Sequence, residues 1–383
     1  MKIYVETTYD VNDIQNAINM ASEYDEIIIT RGLYYSKPWD LKSNLTISIM
    51  DGARIYFTEI KEYYYDKRFI RFEGVECYGM HPLIYAYDCQ NIKIVGGNLF
   101  GNGYSFYKYK KLQAKACDYL CYSEANGIKI EDRILDLKNS YLRPDFIEFV
   151  KCDNILLENM KIYDSPMWTV HPVYCKHVLI KNVSIFSEGP NTDGIDPDSC
   201  DDVIIDSCYF ETGDDCIAIN SGLNEDGWRV GIPCQNIEIR NSIFNKGHAA
   251  IAIGSGMSGG VLGIYAHNCK INNCQRGIRV KSIPGRGGFV RDIRCENIEI
   301  NNCKEGIELT MNYPSSTSKP LTKSLPSFKN FHFDNISISN ANLGFKVIGL
   351  NDSFIEEVYV DKLNINNVKE TKKIEYCSNC IID

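Results

Sequence analysis

From residue 89 onward the chain repeats one pattern of apolar and polar positions. A short run of the form N-I-x-I is followed by a few polar residues and then by a second short run. The phrase begins at Cys89, Cys152, Cys175, Cys200, Cys234, Val261, Val290, Phe328 and Ile355. Its apolar anchors Ile155, Val178, Val203, Ile237, Ile264, Ile293, Phe331 and Val358 lie 23, 25, 34, 27, 29, 38 and 27 residues apart. Each run alternates for only four or five residues before Asn, Asp, Gly or Ser interrupts it. That is too short for helices and too regular for a sandwich. Self-similarity at this period predicts an all-β solenoid, a parallel β-helix in which each coil buries its apolar face only by stacking on the next. Asn at the corners fits, because Asn tolerates the left-handed backbone that tight corners need. One such domain spans residues 1–383.

Two stretches depart from the pattern. Val11, Ile14, Ile18 and Ala21 follow helical spacing, and Asp10 is a candidate N-cap. A short helix within about 8–28 is expected to cap the first coil, whose open strand edge needs cover. Residues 104–143 carry Lys108, Lys110, Lys111 and several tyrosines and break the repeat. They read as a loop excursion flanking a groove, with a small helical insert as the alternative.

Composition narrows the function. The 383 residues hold 41 Lys and Arg against 50 Asp and Glu, a net charge of −9, which argues against a nucleic-acid partner. No apolar run is long enough to span a membrane. The N-terminus lacks the basic, apolar and small-residue succession of a signal peptide, so a cytoplasmic chain is expected, with its 16 cysteines as reduced thiols. Cys152, Cys175, Cys200 and Cys234 precede the repeat strands and read as small core residues. Cys377-x-x-Cys380 has metal or redox spacing, but no second pair completes a zinc site.

The middle coils carry the chemistry. Asn191-Thr192-Asp193-Gly194 and Gly213-Asp214-Asp215 place Asp193 and Asp215 22 residues apart, close to one coil. Gly247-His248 and Arg279-Val280-Lys281 follow at 33 and 31 residues, so stacked coils would project all four groups from one face. Asp214 and Asp215 would point to opposite faces of a regular strand, and Gly213 permits the bend that brings both to one side. Clustered carboxylates raise at least one pKa, leaving one group as acid and another as base, the pairing that glycosidic bond hydrolysis uses. A calcium site or a solvated acidic turn would use the same residues. His248 could tune the acid. Lys270, Arg276, Arg279, Lys281, Arg286 and Arg291 form a basic run without an acidic residue, which suits an anionic substrate. Arg286 lies in a Gly-rich loop that could carry it to the substrate, and Tyr313 could supply an aromatic platform or be buried.

Taken together, these motifs resemble glycoside hydrolase family 28, the polygalacturonases. The stretches from Arg71 to Gly103 and from Ser165 to Cys175 look like its bacterial, exo-acting branch. The resemblance implies a right-handed, pectin-lyase-like β-helix that hydrolyses α-1,4-galacturonosyl linkages with inversion, using no cofactor or metal. Asp214 would be the general acid, Asp193 and Asp215 would activate water, and His248 would support the acid. Arg279 and Lys281 would grip a uronate carboxylate, with Asn191, Arg286 and Tyr313 as further substrate contacts. The partner implied is an oligo- or polygalacturonate. The chain departs from the family pattern at Ala249, where a Gly is usual, and at Asn220 and Gly256, where the bacterial branch has Lys and Glu. Those departures leave room for a rhamnogalacturonan or substituted galacturonan. A lyase or a non-catalytic carbohydrate-binding β-helix on the same scaffold would be the other readings.

Overall fold

In the computed structural model, which describes residues 1–135, 141–314 and 322–382, the repeat anchors form one continuous column. Ile155 pairs with Val178, Val178 with Val203 and Val203 with Ile237. The column continues through Ile264, Ile293, Phe331 and Val358, every step in parallel register. All eight anchors are buried. The core is thus a stack of coils, and removing each aliphatic from water contributes about 1.5–3 kcal/mol. Cys380 is the next rung, paired with Val358, and Cys377 pairs with Ile355. The C-x-x-C spacing therefore follows the last coil, where the left-handed Asn379 (φ 52°) interrupts the alternation and brings Cys377 and Cys380 onto successive rungs, neither of them in a disulfide.

The corners follow the expected chemistry. Asn91, Asn154, Asn236 and Asn330 have φ of 56, 56, 57 and 62°, and Asn159, Asn182, Asn241 and Asn335 have φ of 58, 51, 53 and 53°. Their side chains hydrogen-bond along the solenoid axis. Asn154 Nδ2 donates to Asn91 Oδ1 at 2.6 Å, and Asn182 Nδ2 to Asn159 Oδ1 at 2.6 Å. Each corner thus satisfies an amide that an isolated coil would leave to water.

Helix α1 (Asp13–Met20) buries Ile14, Ala17 and Ile18 and packs against strands Lys2–Val5, Glu26–Ile29 and Trp39–Asp40. Its N-cap is Asn12, not Asp10. Asp10 lies two residues earlier and instead accepts the Asn12 backbone N–H at 2.9 Å, a local turn that competes with capping.

The excursion at 104–143 is helical over its first half rather than a loop throughout; residues 136–140 lie outside those described. Helix α2 spans Tyr104–Tyr107 and helix α3 spans Lys110–Ala125. Gln113, Ala116, Leu120, Ser123 and Glu124 form the buried face of α3 at helical spacing. A second insertion, a hairpin of strands Arg68–Phe72 and Val75–Gly79, is antiparallel in an otherwise parallel scaffold. Its Arg71 is fully buried and donates from Nη1 to Asp198 Oδ1 at 2.9 Å and to Ser199 Oγ at 2.8 Å. A short helix α4 (Asn224–Val230) packs against α3 and the hairpin.

Candidate active site

One column of paired positions carries the site. Ile147 pairs with Val170, Val170 with Ile195, Ile195 with Ile217 and Ile217 with Ile251; Ile278 and Ile307 follow. Counting outward along this column, Asp193 and Asp215 precede paired residues by the same two positions. The backbone ties them directly: Thr169 N–H donates to Asp193 O at 2.9 Å, and Gly194 N–H to Asp215 O at 3.0 Å.

Asp214 and Asp215 lie between the strands Tyr209–Thr212 and Ile217–Ile219, where the chain bends. The register slips just before, between Phe210 and Glu211. Gly213 is required there by crowding: a Cβ would sit 1.9 Å from Gly189 O. The bend sends both aspartates into one pocket, as the glycine predicts. Nearest oxygens of Asp193, Asp214 and Asp215 lie within 4.8 Å of one another.

The partners divide the labour. His248 Nδ1 lies 2.9 Å from Asp214 Oδ1, while Lys281 Nζ donates to Asp215 Oδ2 at 2.7 Å. Asp193 is buried; desolvation, reinforced by the charges of Asp214 and Asp215, holds its carboxyl well above the ordinary range. Burial also opposes ionisation of Asp214, but the His248 hydrogen bond and the charges of His248, Lys281 and Lys110 outweigh it and lower its pKa. The Asp214 hydrogen bond raises His248. Two carboxyls a few ångströms apart are thus driven in opposite directions, the signature of acid–base machinery. Of the two it is Asp193 that favours the proton.

Asn191, Asp193, Asp214, Asp215, His248, Lys281 and Tyr313 line one pocket of about 520 Å³. Arg279 does not. Its guanidinium is buried, ion-paired to Glu308 at 2.6 Å and stacked 4.8 Å from the Tyr313 ring centroid, so it supports Tyr313 instead. Arg286, expected on a flexible loop, is fully buried. Its Nη1 and Nη2 donate to Asn224 Oδ1 at 3.2 Å and Ser255 Oγ at 3.3 Å, so it ties α4 to the pocket floor. Ala249 has no left-handed backbone and packs with Ala218 and Ala252, so the missing glycine does not displace His248. Its neighbour His248 keeps a backbone N–H bond to Asp214 O at 2.8 Å.

The sequence reading named Lys110 only as part of an excursion flanking a groove and missed Glu73, Gln113 and Trp168; all four line the pocket. Glu73 sits on the hairpin and Lys110 and Gln113 on α3, both outside the repeat. Arg143 is a second omission. It donates to Gln113 Oε1 at 2.9 Å and to Asn191 Oδ1 at 2.8 Å, fixing Asn191. Among the described residues, two clusters are spaced to hold a cation: the three aspartates, and Asp145, Glu148 and His171 under the hairpin. In the first, Lys281 already neutralises Asp215. In the second, His171 Nδ1 lies 2.7 Å from Asp145, and Glu148 accepts the Arg71 backbone N–H at 2.9 Å.

A coil stack with this carboxylate pocket is the architecture of a known class of glycosidase. The family model of glycosyl hydrolases family 28 matches residues 66–381, and the chain belongs to that family. The chain is 32% identical over 243 residues to a probable polygalacturonase of Vitis vinifera, covering 62% of this chain and 50% of that protein. It is 26% identical over 314 residues to the exo-poly-alpha-D-galacturonosidase of Dickeya chrysanthemi, covering 74% of this chain and 51% of that one. The chain thus spans about half the length of these curated relatives. Among solved structures, a hyperthermoactive exopolygalacturonase from Thermotoga maritima superposes with a TM-score of 0.90 at 31% identity, over 96% of this chain and 86% of that one.

Proposed function

We propose that this chain hydrolyses α-1,4-galacturonosyl linkages in galacturonan oligosaccharides, acting from a chain end. The observation that carries the reading is the convergence of three carboxylates from two consecutive coils with Lys281 and His248 in one pocket. Asp214, hydrogen-bonded to His248 and partly exposed, is placed to protonate the leaving oxygen once substrate displaces solvent. The one proton of the cluster, which Asp193 favours in the free enzyme, is handed to Asp214 across the 4.8 Å cluster, so that Asp214 gives it to the leaving oxygen while ionised Asp193 and Asp215 hold the water and take up its proton. Their oxygens lie closer than the roughly 6.5–9.5 Å usual between the two carboxyls of inverting enzymes. The inverting assignment is therefore tested by proton NMR of the first-formed anomer. Lys281 and Tyr313 form the wall for a uronate ring.

The exo-acting, bacterial-branch reading draws support from the Thermotoga maritima neighbour and from the hairpin, whose tip lines the pocket. A second reading, a substituted uronate glycan, is favoured by one observation. Asn220 and Gly256 adjoin in the pocket, where a Cβ on Gly256 would lie 3.4 Å from Asn220 Oδ1, leaving a neutral recess. We also read α1 as the cover of the first coil.

Digalacturonate, trigalacturonate and longer galacturonan, followed by chromatography, test the proposal with Asp214→Asn as control. Saturated monogalacturonate, lost in the variant, is the expected result. Turnover only of substituted or rhamnose-containing glycans would favour the second reading. An unsaturated, ultraviolet-absorbing product would overturn both in favour of a lyase.

A further inference from the structure

The two insertions contribute to the pocket a pair of charged groups to which the proposed chemistry gives no contact with the substrate. Glu73 stands at the hairpin tip with φ of 46°, followed by Gly74 at 89°. Two left-handed central residues make the tight turn that matches strand twist. A glutamate there holds a strained backbone that glycine or asparagine would adopt more readily. The turn is locked nonetheless. Leu223 N–H donates to Gly74 O at 3.0 Å, a Cβ on Gly74 would approach Leu223 N to 2.9 Å, and buried Arg71 pins the strand to Asp198.

Glu73 lines the pocket that holds the three aspartates, and its carboxylate has no hydrogen-bond or ion-pair partner among the described residues. Arg143 acts on it most strongly among the charged groups, but its donors serve Gln113, Pro166, Pro190 and Asn191. Burial, chiefly, raises the Glu73 carboxyl. Lys110 lines the same pocket from α3, exposed and likewise without a partner among the described residues. A strained, anchored carboxylate and an exposed ammonium that line the same pocket as the acid–base cluster are what a terminal sugar acid would need. Only the non-reducing terminal residue of an α-1,4 chain offers a free 4-hydroxyl beside its carboxylate.

We propose that Glu73 and Lys110 form the subsite that recognises the non-reducing terminal uronate, Lys110 Nζ pairing with its carboxylate and Glu73 accepting its 4-hydroxyl. The inference rests on the galacturonan reading above. It assigns end selection to the hairpin and α3 rather than to the coils.

The test compares trigalacturonate with its counterpart bearing a 4,5-unsaturated non-reducing end, which has no 4-hydroxyl. The wild-type chain should prefer the saturated substrate by about tenfold or more in kcat/KM, the size of one hydrogen bond to a charged group. Glu73→Gln should collapse that preference, and Glu73→Asp should retain part of it. Lys110→Gln should raise KM about tenfold for both substrates, and Lys110→Arg should restore it. Thermal unfolding of each variant separates a lost contact from a lost fold. If the wild-type chain cleaves trigalacturonate but Glu73→Gln keeps the full end preference, or Lys110→Gln leaves KM unchanged, the subsite is wrong while the galacturonan reading stands. A wild-type chain inert toward both substrates overturns the galacturonan reading and this subsite with it.

Discussion

The C-terminal coils and the coils that carry the carboxylates are built from the same repeat and end in opposite ways. Strands Phe289–Thr310, Ser327–Ile348 and Ile355–Glu375 run through several corners without losing register. In the middle, the strands Ser184–Ser187, Tyr209–Thr212 and Ile217–Ile219 are short, and the chain leaves the ladder at Asp193 and again at Asp214. A continuous ladder satisfies every backbone group but sends neighbouring side chains to opposite faces. Bringing Asp214 and Asp215 into one pocket requires giving up that regularity for a few residues. The contrast teaches that this scaffold stores stability in unbroken coils and chemistry in the interruptions.

Substitutions in the two regions should therefore fail differently. The largest effect belongs to Asp193→Asn, which should cut turnover about a thousandfold, within the usual range for a lost acid–base group. It should also stabilise the fold. The Asp193 carboxyl is raised in the folded state, so folding takes up a proton, and stability falls as pH rises from the ordinary carboxylate range through the raised value. Asn removes that penalty, and thermal unfolding near pH 7 should show a gain of about 0.5–2 kcal/mol that vanishes at acid pH. Ile307→Ala, in the unbroken region, should do the reverse. It empties a fully buried position and should destabilise by about 2–5 kcal/mol in urea titrations, with kcat/KM of the remaining folded chain retained.

A smaller effect separates the partners of Asp214. His248 is raised, so its contribution is present below its ordinary pKa and lost as pH climbs through the raised value; Asp214 is lowered, so its contribution is lost as pH falls through that lowered value. The ion pair spans the interval between. The alkaline limb of the kcat/KM profile should lie above about 6.5 and disappear in His248→Gln. An unchanged limb would show that another group sets it. The smallest expected effect is at a corner. Asn182→Ala loses a 2.6 Å bond to Asn159 and places Ala at φ of 51°, which should cost about 1–2 kcal/mol without touching activity.

The same contrast explains what could be read in advance. The anchor column from Ile155 to Val358 was visible because each anchor is dictated by its own coil and its neighbour. Asp193, Asp214, Asp215, His248 and Lys281 were visible because the coil period places them in consecutive layers. Glu73 and Gln113 were not, and Lys110 only as part of an excursion flanking a groove, because they reach the pocket from insertions whose docking depends on Arg71, Asp198, Arg143 and other distant partners. Arg286 was misplaced for the same reason: its Gly-rich surroundings suggest mobility, but Asn224 and Ser255 hold it in the interior. The α3 segment reads as polar and aromatic, yet its good helix formers and buried seam at Gln113, Ala116 and Leu120 decide its shape.

The parallel register that runs from Ile155 to Cys380 also makes the coil the unit of inheritance. A gain or loss of one or two residues inside a strand would turn its apolar rung outward or break the column, whereas an insertion at a corner leaves every rung where it was. Duplication or loss of a whole coil past Phe328 would lengthen or shorten the molecule without disturbing the layers that hold the aspartates. Variation among descendants of this chain should accordingly accumulate as new corner loops and altered coil number, with the layers between Asn191 and Lys281 kept in step.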